Sequence, residues 1–167
     1  MIERVWRQGI NSNIGDVYVA CCEDEVFDLI KSIGGKAIMT NPNLLSGTDR
    51  VFEAFSLLKN NDNYDSVINL QGDMPLIDSS NIQSVNLPLK NGYDIGTIAT
   101  NLSNDEEKNK NITKVSINWK ESNLVGDSID FYKSSKRQLQ NIYQHVGIYS
   151  FTPAALKKFI SLPPSKN

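Results

Sequence analysis

The chain has 167 residues, of which 40% are hydrophobic and 22% charged, with a formal net charge of -2. That is enough apolar material for one domain, residues 1–167, with its own core, and the slightly acidic balance argues against a nucleic-acid binder held by a basic surface. No apolar run approaches the ~20 residues of a membrane-spanning helix, and the charged start from Met1 to Arg7 has no signal-peptide core, so a cytoplasmic protein with no membrane partner is expected. Cys21 and Cys22 are adjacent in an apparent strand and point to opposite faces, which suits neither a structural disulfide nor a C-x-x-C site. With a single histidine, a zinc site is not expected either.

Met1 to about Gln8 reads as a helix, with Ile2, Val5 and Trp6 on one face, followed by a loop over Gly9–Asn13. Asp16–Cys22 reads as a strand, and Asp24–Ser32 as a helix closed by Gly34 and Gly35. Lys36–Thr40 is a short strand. Thr48 or Asp49 can cap a helix running to about Leu58. Val67–Leu70 is a buried strand that ends on Gln71, Gly72 and Asp73, ahead of Pro75. Ser79 or Ser80 then caps a weakly patterned helix ending near Pro88. Asp94–Thr100 and Thr113–Trp119 read as strands, with the charged, exposed stretch Asn104–Asn111 between them. Ser122–Asp130 is a loop or an edge strand, and Lys133–Arg137 a basic, serine-rich, mobile segment. Tyr143–Phe151 is a strand, and Thr152 and Pro153 open a helix stopped by Pro163 and Pro164. The alternation of helices and strands predicts an α/β domain with a mainly parallel sheet.

Four stretches carry chemistry. Gln71 and Asp73 stand at the carboxyl end of a central strand, where open α/β sheets bind ligands. Gly72 between them allows close approach to the backbone, and Asp73 there can hold Mg²⁺. The same residues are compatible with a plain strand-to-turn junction. Ser46, Gly47 and Thr48 open a helix whose N-terminus favours anions, with Arg50 as a fork for phosphate or carboxylate; taken alone, the stretch is read first as a plain helix entry, with Asp49 as a cap and Arg50 on the solvent face. His145, Gly147 and Tyr149 share one strand face and could meet a polyhydroxylated acid, or could be satisfied core residues. Lys114 could reach a ligand or extend to solvent.

Taken together and in this order, Ser46–Arg50 (S-G-T-D-R), Asn69–Pro75 (N-L-Q-G-D-M-P), Asn109–Val115, His145–Tyr149 (H-V-G-I-Y) and Phe159–Ser165 resemble the CMP-Kdo synthetases, the 3-deoxy-manno-octulosonate cytidylyltransferases. The resemblance runs over essentially the whole chain. It implies a Rossmann-like nucleotide-diphospho-sugar transferase fold and the reaction of CTP with Kdo to give CMP-Kdo and diphosphate, in lipopolysaccharide biosynthesis. It implies nucleotide contacts at Ser46, Gly47, Thr48 and Arg50, and Mg²⁺ on Asp73. Gln71, His145, Tyr149 and Lys133 are the implied sugar contacts, Asp73, Arg50 and Gln71 the catalytic set, and a homodimer the expected assembly.

The sequence departs from the family in three places. A first strand with a basic, Gly-containing loop would precede Met1, and an acidic region with a second metal-binding Asp would follow Asn167. The family's Y-F-[ST]-R has its nearest match at Phe131–Lys133, which puts Lys133 in place of an arginine; a shifted alignment puts Ser135 there. The expectation is therefore a cytidylyltransferase domain lacking its first strand and C-terminal part, inactive by itself. The alternatives are a cytidylyltransferase for sialic acid or amino-Kdo, a non-catalytic nucleotide- or sugar-binding module, and a subunit completed by a second chain.

Overall fold

The computed structural model describes residues 1–121, 124–134 and 140–163. Its elements in order are α1 (Ile2–Asn11), β1 (Tyr18–Cys21), α2 (Asp24–Ser32), β2 (Lys36–Met39), α3 (Gly47–Ser56), a 3-10 turn (Asn61–Asn63), β3 (Val67–Asn69), α4 (Ser79–Ser84), α5 (Leu87–Lys90), β4 (Ile95–Thr100), α6 (Asn104–Lys108), β5 (Lys114–Trp119), β6 (Gly126–Tyr132), β7 (Ile142–Phe151) and α7 (Pro153–Ile160). They form two compact units: Met1–Gly96 with the described residues from Ile148 onward, and Thr97–Gly147.

In the first unit β1 and β2 pair in parallel, from Tyr18↔Lys36 to Cys21↔Met39. The helix between them, α2, stops where expected. Gly34 takes φ +81° just beyond its end, and the N–H groups of Gly34 and Gly35 donate to the carbonyls of Lys31 and Ile30. This reversed pairing satisfies the last helical carbonyls and needs the left-handed backbone that glycine adopts freely. β3 pairs antiparallel with the end of β7, from Val67↔Phe151 to Asn69↔Tyr149. Val5, Val19, Ile30, Ala54, Ile82, Val85, Ile148, Phe151 and Leu156 form the buried apolar core of this unit.

The direction of β3 follows from side chains at both of its ends. Ahead of it, Tyr64 Oη donates to Asp16 Oδ2 at 2.7 Å and lies 3.4 Å from Tyr18 Oη, at the start of β1. At its close, Asn69 Nδ2 donates to Thr48 Oγ1 at 3.2 Å, while Arg50 Nη1 donates at 2.6 Å to Oγ1 of Thr40, just past β2. So β1, β2 and β3 run the same way, with the ends of β2 and β3 at the N-terminus of α3.

In the second unit β5 pairs antiparallel with β6, from Lys114↔Tyr132 to Trp119↔Gly126, with a register shift between Ser116 and Ile117. β5 also pairs antiparallel with the start of β7, Lys114↔Gln144 to Ser116↔Ile142, and β4 pairs with β7. Val115, Ile117 and Val125 are buried, and Trp119 Nε1 donates to Tyr143 Oη at 3.0 Å.

The α/β class and the helices expected at Asp24, Thr48 and Pro153 are present. Of the registers named above, that of β1 with β2 is parallel as expected, and those of β3 with β7, β5 with β6 and β5 with β7 are antiparallel. A short connection between β5 and β6 favours a hairpin, whereas parallel neighbours need a long crossover. The first helix passes through Gly9 to Asn11 instead of stopping at about Gln8, and Gly9 packs under Val17, where a Cβ would meet Val17 Cγ1 at 3.2 Å. Pro88 opens a helical turn of its own, α5, rather than only ending one. The stretch expected as merely charged and exposed holds α6, nucleated by a capping box between Ser103 and Glu106. β6 settles the choice at Ser122–Asp130 in favour of a strand from Gly126, which extends past Asp130 to Tyr132. Ser122, Asn123, Ser135–Arg137 and Pro164–Ser165 lie outside the described residues.

Candidate active site

The loop Leu45–Ser46–Gly47 turns into α3 with Ser46, not Thr48 or Asp49, as the cap. Ser46 is extended, and its Oγ accepts from the Asp49 N–H at 3.1 Å and donates to Asp49 Oδ2 at 2.6 Å. A hydroxyl reaches the third helical N–H from the cap position, and the acidic residue in that first turn complements the helix dipole. The N–H groups of Gly47 and Thr48 therefore stand at the open, electropositive end of the helix. Three further bonds fix this end: the Thr48 hydroxyl accepts from Asn69 Nδ2, and Arg50 Nη1 donates to Thr40 Oγ1 and, at 3.4 Å, to the Asn41 carbonyl. Arg50 is thus half-buried and oriented by the β2 loop. Ser46→Ala is expected to lower stability by about 1 kcal/mol, read as the midpoint shift in urea; an unchanged midpoint would show that the cap contributes nothing.

Asn69, 3% exposed, closes β3, and the chain then turns twice, with Met74 N–H donating to the Gln71 carbonyl at 3.3 Å and Ile77 N–H to the Met74 carbonyl at 3.2 Å. These turns hold the Gln71 and Asp73 side chains outward. Ser46, Gly47, Thr48, Arg50, Gln71, Gly72 and Asp73 line one cavity of about 740 Å³ within the first unit. Tyr149 lies on β7 opposite Asn69, which lines the cavity, but is not itself part of that lining. Burial pushes its phenol above the usual tyrosine range.

His145 and Lys133 belong to the second unit. The His145 ring is half-buried, with Nε2 3.0 Å from Thr97 Oγ1 and Phe131 edge-to-face against it at 5.1 Å. Burial disfavours the imidazolium and lowers its pKa below 6.5. The unfolded chain therefore takes up the proton first as pH falls. Between the unfolded and folded pKa values the unfolded state binds more protons, so stability falls with falling pH in that window and is level above it. As His145 is the only histidine, its NMR resonance is unambiguous; a midpoint below 6.5 is expected, and one at or above 6.5 would refute the burial effect.

Lys133 is exposed, and its carbonyl accepts from Lys114 Nζ at 3.0 Å. Lys114 does not extend to solvent. It is 1% exposed, and its ammonium is bound by the carbonyls of Lys133 and Asn109. Sequence reasoning missed this tie between the segment before β5 and the residue that follows β6. The available signal was a lysine opening a strand that continues into Val115 and Ile117, at a place where a buried cation needs acceptors.

Among the described residues no cluster of three or more His, Cys, Asp or Glu side chains could hold a metal. Asp73 is an exposed carboxylate that lines the same cavity as the N-terminus of α3. That donor set does not form a protein cage, but it fits Mg²⁺, which is often bound through one or two carboxylates with waters and substrate phosphates completing its shell. Cys21 and Cys22 are free thiols, as expected, and Cys21 is buried with its pKa raised by desolvation. Among the described residues no helix is long and apolar enough to cross a membrane.

A capped helix N-terminus, an oriented arginine and an outward carboxylate at the carboxyl ends of co-directional strands is the layout of an α/β domain that handles phosphate-bearing nucleotides. Comparison with known proteins specifies the class. A cytidylyltransferase family model matches residues 1–166. The 3-deoxy-manno-octulosonate cytidylyltransferase of Paramagnetospirillum magneticum is 37% identical over 166 residues, covering 98% of this chain and 68% of the relative. Its counterpart in Rickettsia canadensis is 38% identical over 167 residues, covering 99% and 66%. A solved structure of CMP:2-keto-3-deoxy-manno-octonic acid synthetase complexed with CTP superposes with a TM-score of 0.85 at 27% identity, covering 98% of this chain and 68% of that one. The chain belongs to the cytidylyltransferase family, and it spans about two thirds of the length of these relatives.

Proposed function

We propose that this chain carries the chemistry of a Kdo cytidylyltransferase, transferring CMP from CTP to the sugar acid with release of diphosphate. The observation that carries this reading is the convergence of Ser46, Gly47, Thr48, Arg50, Gln71 and Asp73 on one cavity, in a chain whose relatives bear that name. In this reading the N–H groups of Gly47 and Thr48 receive nucleotide oxygens, and Arg50, anchored through Nη1, offers its other donors to phosphate. Asp73 would hold Mg²⁺, which supplies Lewis-acid polarisation and neutralises phosphate charge when bound. A sugar hydroxyl attacks the α-phosphorus in line. The new O–P bond forms as the bond to the leaving diphosphate breaks, and the hydroxyl proton passes to solvent. The residues position the reactants and offset charge. Gln71 and Tyr149 are the sugar contacts proposed within the first unit. A homodimer, a cytoplasmic location and supply of lipopolysaccharide assembly rest on the resemblance.

The test is diphosphate release from CTP, Kdo and Mg²⁺, on the purified chain and on a version extended at both ends. Release that requires all three supports the reading. CTP binding without release from either version would replace it with a nucleotide-binding module. Preference for sialic acid over Kdo would change the substrate.

A further inference from the structure

Thr40 carries a buried hydroxyl, 7% exposed, where the chain leaves β2. Its Oγ1 donates at 2.8 Å to the Cys21 carbonyl, at the end of β1, and accepts at 2.6 Å from Arg50 Nη1. The sense of both bonds is forced. A carbonyl only accepts and a guanidinium only donates, so the hydroxyl proton goes to Cys21 and an Oγ1 lone pair is turned to Arg50. The Asn41 carbonyl, 3.4 Å from the same Nη1, is held in its turn. The Asn41 N–H donates to Glu53 Oε2 at 2.8 Å, and the Asn43 N–H donates to Asn41 Oδ1 at 2.9 Å. Glu53 follows Arg50 on the next turn of α3. The end of β1, the loop after β2 and the start of α3 therefore meet at one guanidinium nitrogen. Among the described residues, Nε and Nη2 of Arg50 have no hydrogen-bond partner, and Arg50 lines the 740 Å³ cavity.

We propose that Thr40 is a positioning residue for nucleotide binding: its hydroxyl anchors Arg50 through Nη1 and so keeps the Nε–H and Nη2–H edge for two oxygens of one phosphate. The proposal rests on the reading of Arg50 as a nucleotide contact. A guanidinium on a long side chain loses rotamer freedom when a ligand orders it, and a group already ordered in the free protein avoids that cost at binding. The anchor needs a hydroxyl whose own proton is committed elsewhere, which the Cys21 carbonyl ensures. Serine meets that requirement. Valine, with nearly the shape of threonine, has no lone pair to offer and would leave Arg50 only the longer bond to Asn41.

Thr40→Val, Thr40→Ser and Arg50→Ala test this on the full chain. The Thr40 N–H also donates to the Cys21 carbonyl at 2.8 Å, so the valine variant keeps a tie between β1 and β2 and should fold. The first readout needs no nucleotide. It is rotation of the guanidinium about Nε–Cζ, followed on the Arg50 Nη NMR signals, which are identified by their absence from Arg50→Ala. Thr40→Val is expected to speed this rotation by about tenfold, with Thr40→Ser matching the parent. The second readout is CTP affinity by calorimetry. It is expected to fall by about tenfold in Thr40→Val, to be restored in Thr40→Ser, and to fall no further when Thr40→Val is added to Arg50→Ala. A merely structural loss would weaken binding equally with and without Arg50. Unchanged rotation in the valine variant, equal speeding by valine and serine, or additive losses of CTP affinity would overturn the proposal. Freed rotation with unchanged CTP affinity would overturn the positioning role. A parent that binds no CTP would overturn the proposed function, whereas the rotation measurement decides the anchor independently of it.

Discussion

Asp73→Asn is expected to lower diphosphate release by about 10²- to 10³-fold in the version of the chain that turns over, with CTP binding changed far less. The carboxylate charge that would hold Mg²⁺ is removed, while the side chain keeps nearly its shape. An ion that polarises a phosphoryl oxygen supplies several kcal/mol of transition-state stabilisation. CTP would still meet the N-terminus of α3 and Arg50, which do not depend on Asp73. Because Asp73 is exposed, the fold should be unaffected, within about 0.5 kcal/mol. Single-turnover rates with varied Mg²⁺ check this: the variant should lose its magnesium dependence along with its rate. Release within a few-fold of the parent would remove Asp73 from the reaction.

The second large effect is structural. Gly96 sits where β4 begins, against the α4–α5 connection and β7. A Cβ there would lie 2.6 Å from Ser150 Oγ, 2.6 Å from the Val85 carbonyl and 3.0 Å from Pro88 Cγ. Ser150 Oγ already donates to that same carbonyl at 2.6 Å and is fully buried, so neither polar atom can retreat without losing a partner. Gly96→Ala should therefore cost about 2–3 kcal/mol, lowering the thermal midpoint by about 5–10 °C for a chain of this size. Gly15→Ala is the control: it has nothing within 4 Å and an ordinary φ, so it should melt within about a degree of the parent. Equal midpoints for the two variants would mean that the Val85–Ser150 contact yields freely.

The elements most legible in the sequence were those whose ends are set by local chemistry. Gly34 and Gly35 stop α2 and Thr152–Pro153 start α7, because a left-handed residue or a hydroxyl next to a proline acts within a few bonds of itself. The elements misread were those set from a distance. Gly9 looks like a helix end until Val17 is seen packed on it. Lys114 looks like a surface lysine until the carbonyls of Asn109 and Lys133 are found around its ammonium. The capping residue of α3 lay between the two kinds: Ser46, Thr48 and Asp49 can all cap a helix, and only the position of the Asp49 N–H selects Ser46.

The same division holds for the site. Residue order alone marked Ser46–Arg50 and Gln71–Asp73, since a small-residue loop opening a helix and a carboxylate at a strand end are chemistries of contiguous residues. That these two stretches, more than twenty positions apart in the numbering, line one cavity was decided by the tertiary structure, through the Asn69–Thr48 and Arg50–Thr40 bonds that tie β3 and β2 to the head of α3.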